Sequence, residues 1–266
     1  MKDNSQTISL KATSQPVLLV NAHINELYEM VKEFHQVFGH SIDSTEITPA
    51  MLRLRANLIR EEADEGLKAI DESDYTEVFD AVGDTVYVLS GTLVMIANSM
   101  SHALSFDHIA AGSMYKTVIA DFTASFFDDL KAGFNLSIAT AEYLEEIANC
   151  LESKKGIAAC ETLSSLPYYI SDCLALFNHA LDANNQSLPE LTQVIHESNM
   201  SKLWSSDAEE RKRQVENCKY DPADLAFRPC LTRDGVIGYR ISDDKILKSP
   251  SYTPVDLSKF ADKWDY

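Results

Sequence analysis

The chain has 266 residues, is 45% hydrophobic and carries a formal net charge of −18, with only nine glycines and eight prolines. This length suits one large domain or two small ones, and the scarcity of turn-forming residues favours long helices over a β fold. The negative charge argues against nucleic acid and anionic membranes as partners, because both bind basic surfaces. A phosphorylated small molecule is compatible with it if a metal ion supplies positive charge.

The cysteine count and the hydropathy pattern indicate a cytoplasmic protein. Five cysteines occur, with no CxxC pair, which predicts reduced thiols. Cys218 and Cys230 could pair or bind a metal, but no histidine has zinc-like spacing, so we expect packing cysteines. No stretch approaches about 18 uncharged apolar residues, and the start does not resemble a signal peptide. We therefore expect no membrane association.

The first half of the chain predicts four helices. Residues 1–16 are expected to form a loose tail. Apolar residues at helical spacing predict a first helix within 17–38, and a helix of about 49–71 follows, opened by Thr48-Pro49. Further helices are expected at about 75–99 and 105–117. We assign residues 17–117 to one helical unit.

The pattern then starts again, which indicates a tandem duplication. MVKEFHQVF (30–38) aligns with VIADFTASF (118–126), and VGDTVYVL (82–89) aligns with ISDCLALF (170–177). Amphipathic helices also align with one another by chance, but here the order and offset are kept across four helices. We assign 118–203 to a second, degenerate repeat. It lacks the counterparts of three polar residues, because Thr123, Asn149 and Tyr168 stand where the first copy has His35, Glu65 and Asp80.

The last segment, 204–266, has a different character. Its first part is polar and is expected to be partly loop. Asp234-Gly235 between two short β-prone runs predicts a hairpin. The end of the chain is expected to be an extended arm lying on the helical body.

Acidic residues recur at helical spacing where the chain turns apolar. Glu61, Glu62 and Glu65 share one helix face, and so do Asp80 and Asp84. A solvated acidic face would explain the glutamates alone. Asp84 is flanked by valines and leucine, where a carboxylate is costly to bury unless it is paired or binds a metal. Carboxylates are hard ligands that suit Mg²⁺ or Mn²⁺.

These residues resemble the all-α nucleoside triphosphate pyrophosphohydrolases, which include MazG proteins, phosphoribosyl-ATP pyrophosphohydrolase and dimeric dUTPases. The usual pattern is ExxE followed by ExxD. Glu62, Glu65 and Asp84 match it, whereas Ala81 stands in place of the third glutamate and Asp80 is the candidate substitute. Three further motifs resemble a MazG-like subfamily, and together the motifs cover most of the chain: EFHQVFG (33–39), HESNMSKL (196–203) and DDKILKSPSYTPVDL (243–257).

The resemblance implies an all-α, MazG-like four-helix unit that cleaves a nucleoside triphosphate to a monophosphate and pyrophosphate. It implies Mg²⁺, or Mn²⁺, held by Glu62, Glu65, Asp80 and Asp84. Glu61 and Glu62 are the catalytic candidates, with Glu61 or Asp80 completing the metal shell or orienting the water. The substrate-binding candidates are Asn199 and Lys202 for the phosphates, Lys116 as their counterpart, His35 for the base and Asn98 for phosphate or sugar.

Two alternatives remain. The chain could be a catalytically inactive nucleotide-sensing or protein-interaction module, which Ala81 would favour. It could instead hydrolyse phosphoribosyl-ATP. The sequence leaves the preferred base open, and it is compatible with either a homodimer or a pseudo-dimeric monomer.

Overall fold

The computed structural model describes residues 22–42, 44, 46–100 and 125–264. The predicted tail at 1–16 and the predicted helix at 105–117 lie outside these residues. The described part is mostly helical with one small sheet, which confirms the all-α prediction.

Three helices form where the first unit predicts them: α1 (Ala22–Phe38), α2 (Pro49–Glu72) and α3 (Tyr75–Met100). The Thr48 hydroxyl caps α2 by accepting a hydrogen bond from the Met51 amide at 3.3 Å. Ser73 ends α2 in the left-handed conformation, with φ of 58°. The short turn at Ser73 and Asp74 makes α2 and α3 an antiparallel pair.

Three more helices follow: α4 (Phe126–Glu152), α5 (Gly156–Ala183) and α6 (Leu188–Met200). Helix α4 lies antiparallel along α2, because Arg53 near the start of α2 pairs with Glu152 at 2.6 Å and Asp71 near its end pairs with Lys131 at 2.6 Å. The proposed duplication stays a prediction, as do the domain boundaries.

Helix α3 is the central element of the bundle. It packs against α1, α2, α5 and α6, and one continuous hydrophobic core joins these helices. In the described part of the chain, its segment Tyr75–Ile96 is long and apolar enough to cross a membrane by composition, but 83% of the apolar window is buried inside the bundle. A core position accounts for this hydropathy.

The polar stretch expected to be partly loop contains a helix, α7 (Ala208–Asn217). Asp207 caps it by accepting from the Glu210 amide at 2.7 Å. The helix-forming run AEERKR supports it although only Gln214 is buried. A short 3-10 turn at Pro222–Asp224 follows.

The predicted hairpin is confirmed. Strands β1 (Leu225–Pro229) and β2 (Val236–Arg240) pair antiparallel around Gly235, whose φ is 134°. Trp204 joins this hairpin to the C-terminal arm: its backbone bridges Val236, and its indole Nε1 donates to the Leu247 carbonyl at 2.9 Å. The arm ends in α8 (Ser258–Ala261) and a 3-10 turn at Asp262–Trp264.

Candidate active site

Helices α2 and α3 bring the predicted carboxylates together. Glu62 is half-buried, and burial raises its pKa to about 8, with further contributions from Asp84, Glu65, Glu61 and Asp80. An acid responds in this way when water is removed and like charges lie nearby. Glu62 and Asp84 therefore face the same space between the two helices.

Asp84 shows the same behaviour from the opposite helix. Burial raises its pKa to about 7 and Asp80 adds to the shift, whereas the charges of Lys202 and Lys248 oppose it. Burial also raises the pKa of Asp80, again against the two lysines. Within the described residues, no hydrogen bond or ion pair engages the carboxylates of Glu62, Asp80 or Asp84.

The structure explains the unusual spacing of the second acidic motif. Ala81 is 3% exposed and belongs to the hydrophobic core, so its side chain points away from the acidic cluster. Asp80 lies one residue earlier and acts electrostatically on Glu62 and Asp84. Asp80 is thus the second acid that α3 presents to α2.

The acidic residues offer oxygen donors, the ligand type that Mg²⁺ prefers. In the described ranges, no three His, Cys, Asp or Glu side chains are already gathered as ligands around one point. Glu61 and Glu65 are exposed, whereas Glu62 and Asp84 are partly withdrawn from water. Oxygen donors that resist being charged together fit a divalent cation, which would relieve their mutual repulsion.

Two predicted phosphate-binding residues lie near this cluster: Asn199 in the last turn of α6 and Lys202 in the turn that follows it. Lys202 donates to the Asn199 side-chain oxygen at 2.5 Å, and its ammonium lies 5.9 Å from the Phe34 ring centroid. Burial lowers the pKa of Lys202, while Asp84 and Glu62 oppose this shift. Asn199 and Lys202 therefore lie beside the acidic residues, as a phosphate-binding role would require.

Lys248 in the C-terminal arm also reaches the site and was missed by the sequence prediction. Its ammonium lies 4.3 Å from the Tyr252 ring centroid, and its charge lowers the pKa of Asp80 and Asp84. The motif at 243–257 contains it, but nothing in that motif singles out one lysine as a partner of Asp80 and Asp84, which lie 168 and 164 positions earlier in the chain.

A hydrogen-bonded network lies beside Asn199. The Tyr87 hydroxyl bonds to His196 Nδ1 at 2.9 Å, and it interacts electrostatically with the Asn199 side chain. His196 Nε2 lies 3.2 Å from a Glu33 oxygen, and Arg233 pairs with Glu33. Because the carboxylate only accepts, Nε2 carries the proton and the Tyr87 hydroxyl donates to Nδ1. These residues come from distant segments, so no local spacing reveals the network.

His35 lies apart from the acidic residues. It is buried, donates from Nδ1 to the Ser41 carbonyl at 2.7 Å, and has its pKa lowered to about 3 by burial. It lines a cavity of about 90 Å³ with Arg55, which donates to Thr92 and to the Val88 carbonyl. His35 is thus a neutral histidine further along the α2–α3 groove, and its contact with a base remains a prediction.

Two other predicted residues have no described side chain. Asn98 belongs to α3, but its side chain is not described, and Lys116 lies outside the described residues. Their substrate-binding roles remain predictions.

The second set of acids is arranged differently. Glu145 pairs with Arg60 at 2.9 Å, and Glu146 is exposed. Asp172 is half-buried, and burial alone raises its pKa. The described residues therefore give α4 and α5 no counterpart of the coupled Glu62–Asp84 pair.

A family match includes the segment that carries the acidic residues. Residues 31–97 match the model of the phosphoribosyl-ATP pyrophosphohydrolase family. That family is a member of the all-α, MazG-like pyrophosphohydrolase superfamily, so the match confirms the resemblance seen in the motifs. The matched segment contains Glu62, Glu65, Asp80 and Asp84 but neither Lys202 nor Lys248.

A relative shares most of the chain. The uncharacterized protein L479 of Acanthamoeba polyphaga mimivirus is 25% identical over 254 residues, covering 88% of this chain and 94% of its own length. The similarity therefore extends well beyond the family segment. No solved structure matches.

Proposed function

We propose that the chain is a metal-dependent nucleoside triphosphate pyrophosphohydrolase, which cleaves between the α and β phosphates to give a monophosphate and pyrophosphate. One observation supports this most directly. Among the described residues, Glu62 and Asp84 are partly buried acids of the family segment that have no hydrogen-bonded partner, and the charge of Asp84 acts on Glu62. Such a pair is costly unless it serves a ligand.

The proposed division of labour follows from the positions of the side chains. Glu62, Glu65, Asp80 and Asp84 would hold Mg²⁺ or Mn²⁺, and the ion, when bound, would screen the phosphates and lower the pKa of water. Glu61 or Asp80 would complete the metal shell or orient the attacking water as base. Lys202 and Asn199 would position the phosphates.

The test is pyrophosphate release from a panel of dNTPs and NTPs with Mg²⁺, with Mn²⁺ and with EDTA. We expect metal-dependent release of pyrophosphate with the nucleoside monophosphate as co-product. Orthophosphate release would contradict the proposed cleavage position. Metal-dependent stabilisation by a nucleotide without turnover would favour the inactive sensing module.

The family match also supports a second candidate, phosphoribosyl-ATP as substrate. The panel therefore includes phosphoribosyl-ATP. Turnover of that compound alone would establish this candidate, whereas turnover of ordinary or modified dNTPs would favour a role in clearing unwanted nucleotides.

The proposal also bears on the partners, the location and the oligomeric state of the protein. A nucleotide substrate suits an acidic chain that needs neither nucleic acid nor a membrane as partner. We retain a cytoplasmic location, and a homodimer or pseudo-dimeric monomer, as predictions.

A further inference from the structure

The C-terminal arm is fixed across the end of α6, beside Asn199 and Lys202. The Leu247 carbonyl accepts from the Trp204 indole, as described above. The Ser198 hydroxyl bonds to the Tyr252 hydroxyl at 2.9 Å, and the Thr253 amide donates to the Ser201 hydroxyl at 2.9 Å. These contacts on both sides of Lys248 set its position relative to α6.

Lys248 and Lys202 form a pair of like charges next to the acidic helices. In the part of the chain that the structure describes, neither ammonium forms an ion pair with a carboxylate: Lys202 donates to Asn199, and Lys248 lies over the Tyr252 ring. Each lysine nevertheless acts on Asp84, and they repel each other. Two neighbouring ammonium groups that face unpaired carboxylates suit a ligand that carries its own metal ion and several negative oxygens.

We propose that Lys248 binds the β and γ phosphates of the substrate, so that the C-terminal arm completes a site of which the family segment supplies only the acidic half. This inference rests on the proposed function, because it assigns the departing pyrophosphate to the lysine side of the site. Lysine suits this role as a compact charge with three donors. Tyr252 is then a positioning residue, because its ring packs against the Lys248 ammonium.

The test is calorimetric binding of inorganic pyrophosphate in the presence of Mg²⁺. We expect Lys248→Ala to weaken binding about tenfold to a hundredfold, the range for losing a hydrogen bond to a charged group. Lys248→Arg keeps the charge and should stay within a few-fold of wild type. Lys212→Ala removes an exposed lysine of α7 and should bind like wild type. Thermal unfolding verifies that each variant is folded.

The outcomes separate this inference from the proposed function. Pyrophosphate binding that depends on Lys248, in a chain without turnover, would uphold the inference and reject the enzyme. Turnover in which Lys248→Ala and Lys212→Ala have the same KM and the same pyrophosphate affinity would reject the inference alone. Failure of the wild-type chain to bind pyrophosphate with Mg²⁺ would also overturn it.

Discussion

Glu62 and Asp84 hold their protons more tightly in the folded chain than in water. Their pKa values of about 8 and about 7 result first from burial and then from the acids around them. Near neutral pH the two acids are therefore partly protonated and do not both carry a full negative charge. A divalent cation bound to these acids would favour their deprotonated forms.

The raised pKa values predict how stability depends on pH. As pH rises from about 5 to about 8, the unfolded chain releases these protons before the folded chain does, so the pair makes the free energy of unfolding fall. Chemical denaturation in EDTA at both ends of this range should show the fall. Glu62→Gln, a neutral isostere, should reduce the slope and be more stable than wild type at the higher pH.

The control is Glu146→Gln, which changes an exposed carboxylate of α4 and should keep the wild-type slope. Added Mg²⁺ should restore stability at about pH 8 in wild type but much less in Glu62→Gln, because a ligand stabilises the state that binds it. Parallel curves for wild type and Glu62→Gln would contradict the assignment.

At the scale of the elements, α4 packs closely against α2 one helical turn after Glu62. Phe134 lies directly on Gly66, and a Cβ at position 66 would overlap its ring. Phe134 in turn contacts Phe177 of α5, with ring centroids 5.1 Å apart. Gly66 is therefore required by close packing and not by its backbone angles.

Gly66→Ala tests this packing, because two effects oppose each other. Alanine favours a helix over glycine by about 0.5–1 kcal/mol, whereas overpacking a core costs about 1–3 kcal/mol. We expect net destabilisation of about 1 kcal/mol or more by chemical denaturation. In a Phe134→Leu background, where the ring is gone, Gly66→Ala should cost less stability than it does in the wild-type chain. A Gly66→Ala chain more stable than wild type would show that the Phe134 ring moves freely.

The sequence was sufficient for elements with strong local signals. Periodic apolar residues and the Thr48-Pro49 start predicted α2 and α3, and Asp-Gly predicted the hairpin. Helix α7 was missed, because a helix with almost no buried face has no hydrophobic periodicity. Its signals were the Asp207 cap and a run of helix formers.

At the scale of the whole molecule, three separate parts of the chain converge on one acidic site. The family segment supplies the carboxylates, α6 and the turn after it supply Asn199 and Lys202, and the arm supplies Lys248. The acids of α4 do not build a second such site in the described structure, since Glu145 pairs with Arg60. We therefore expect one catalytic centre per chain.

Turnover measurements on single variants check this expectation. Glu62→Gln or Asp84→Asn should remove most of the pyrophosphate release, because each deletes a charge from the centre. Glu145→Gln should stay within a few-fold of wild type, since it loses only a partly exposed ion pair worth about 0–1 kcal/mol. Equal losses from both sets would reject a single centre.

The site was only half predictable from the sequence, for a physical reason. Glu62, Glu65 and Asp84 are neighbours through helical spacing and one short turn, so local geometry reveals them. Lys248 and the Tyr87–His196 contact depend on how distant segments pack. In the sequence, nothing distinguishes Lys248, Tyr87 and His196 from ordinary surface or core residues.

The two tryptophans of the chain lie in separate surroundings, which gives the molecule two built-in fluorescent reporters. Trp264 stacks on Phe126 at the start of α4, with ring centroids 4.6 Å apart, and senses the helical body. Trp204 is 1% exposed, and its indole holds the carbonyl immediately before Lys248. In a Trp264→Phe chain, the emission wavelength would therefore report how tightly the hairpin and the arm pack around Trp204, separately from the helical body.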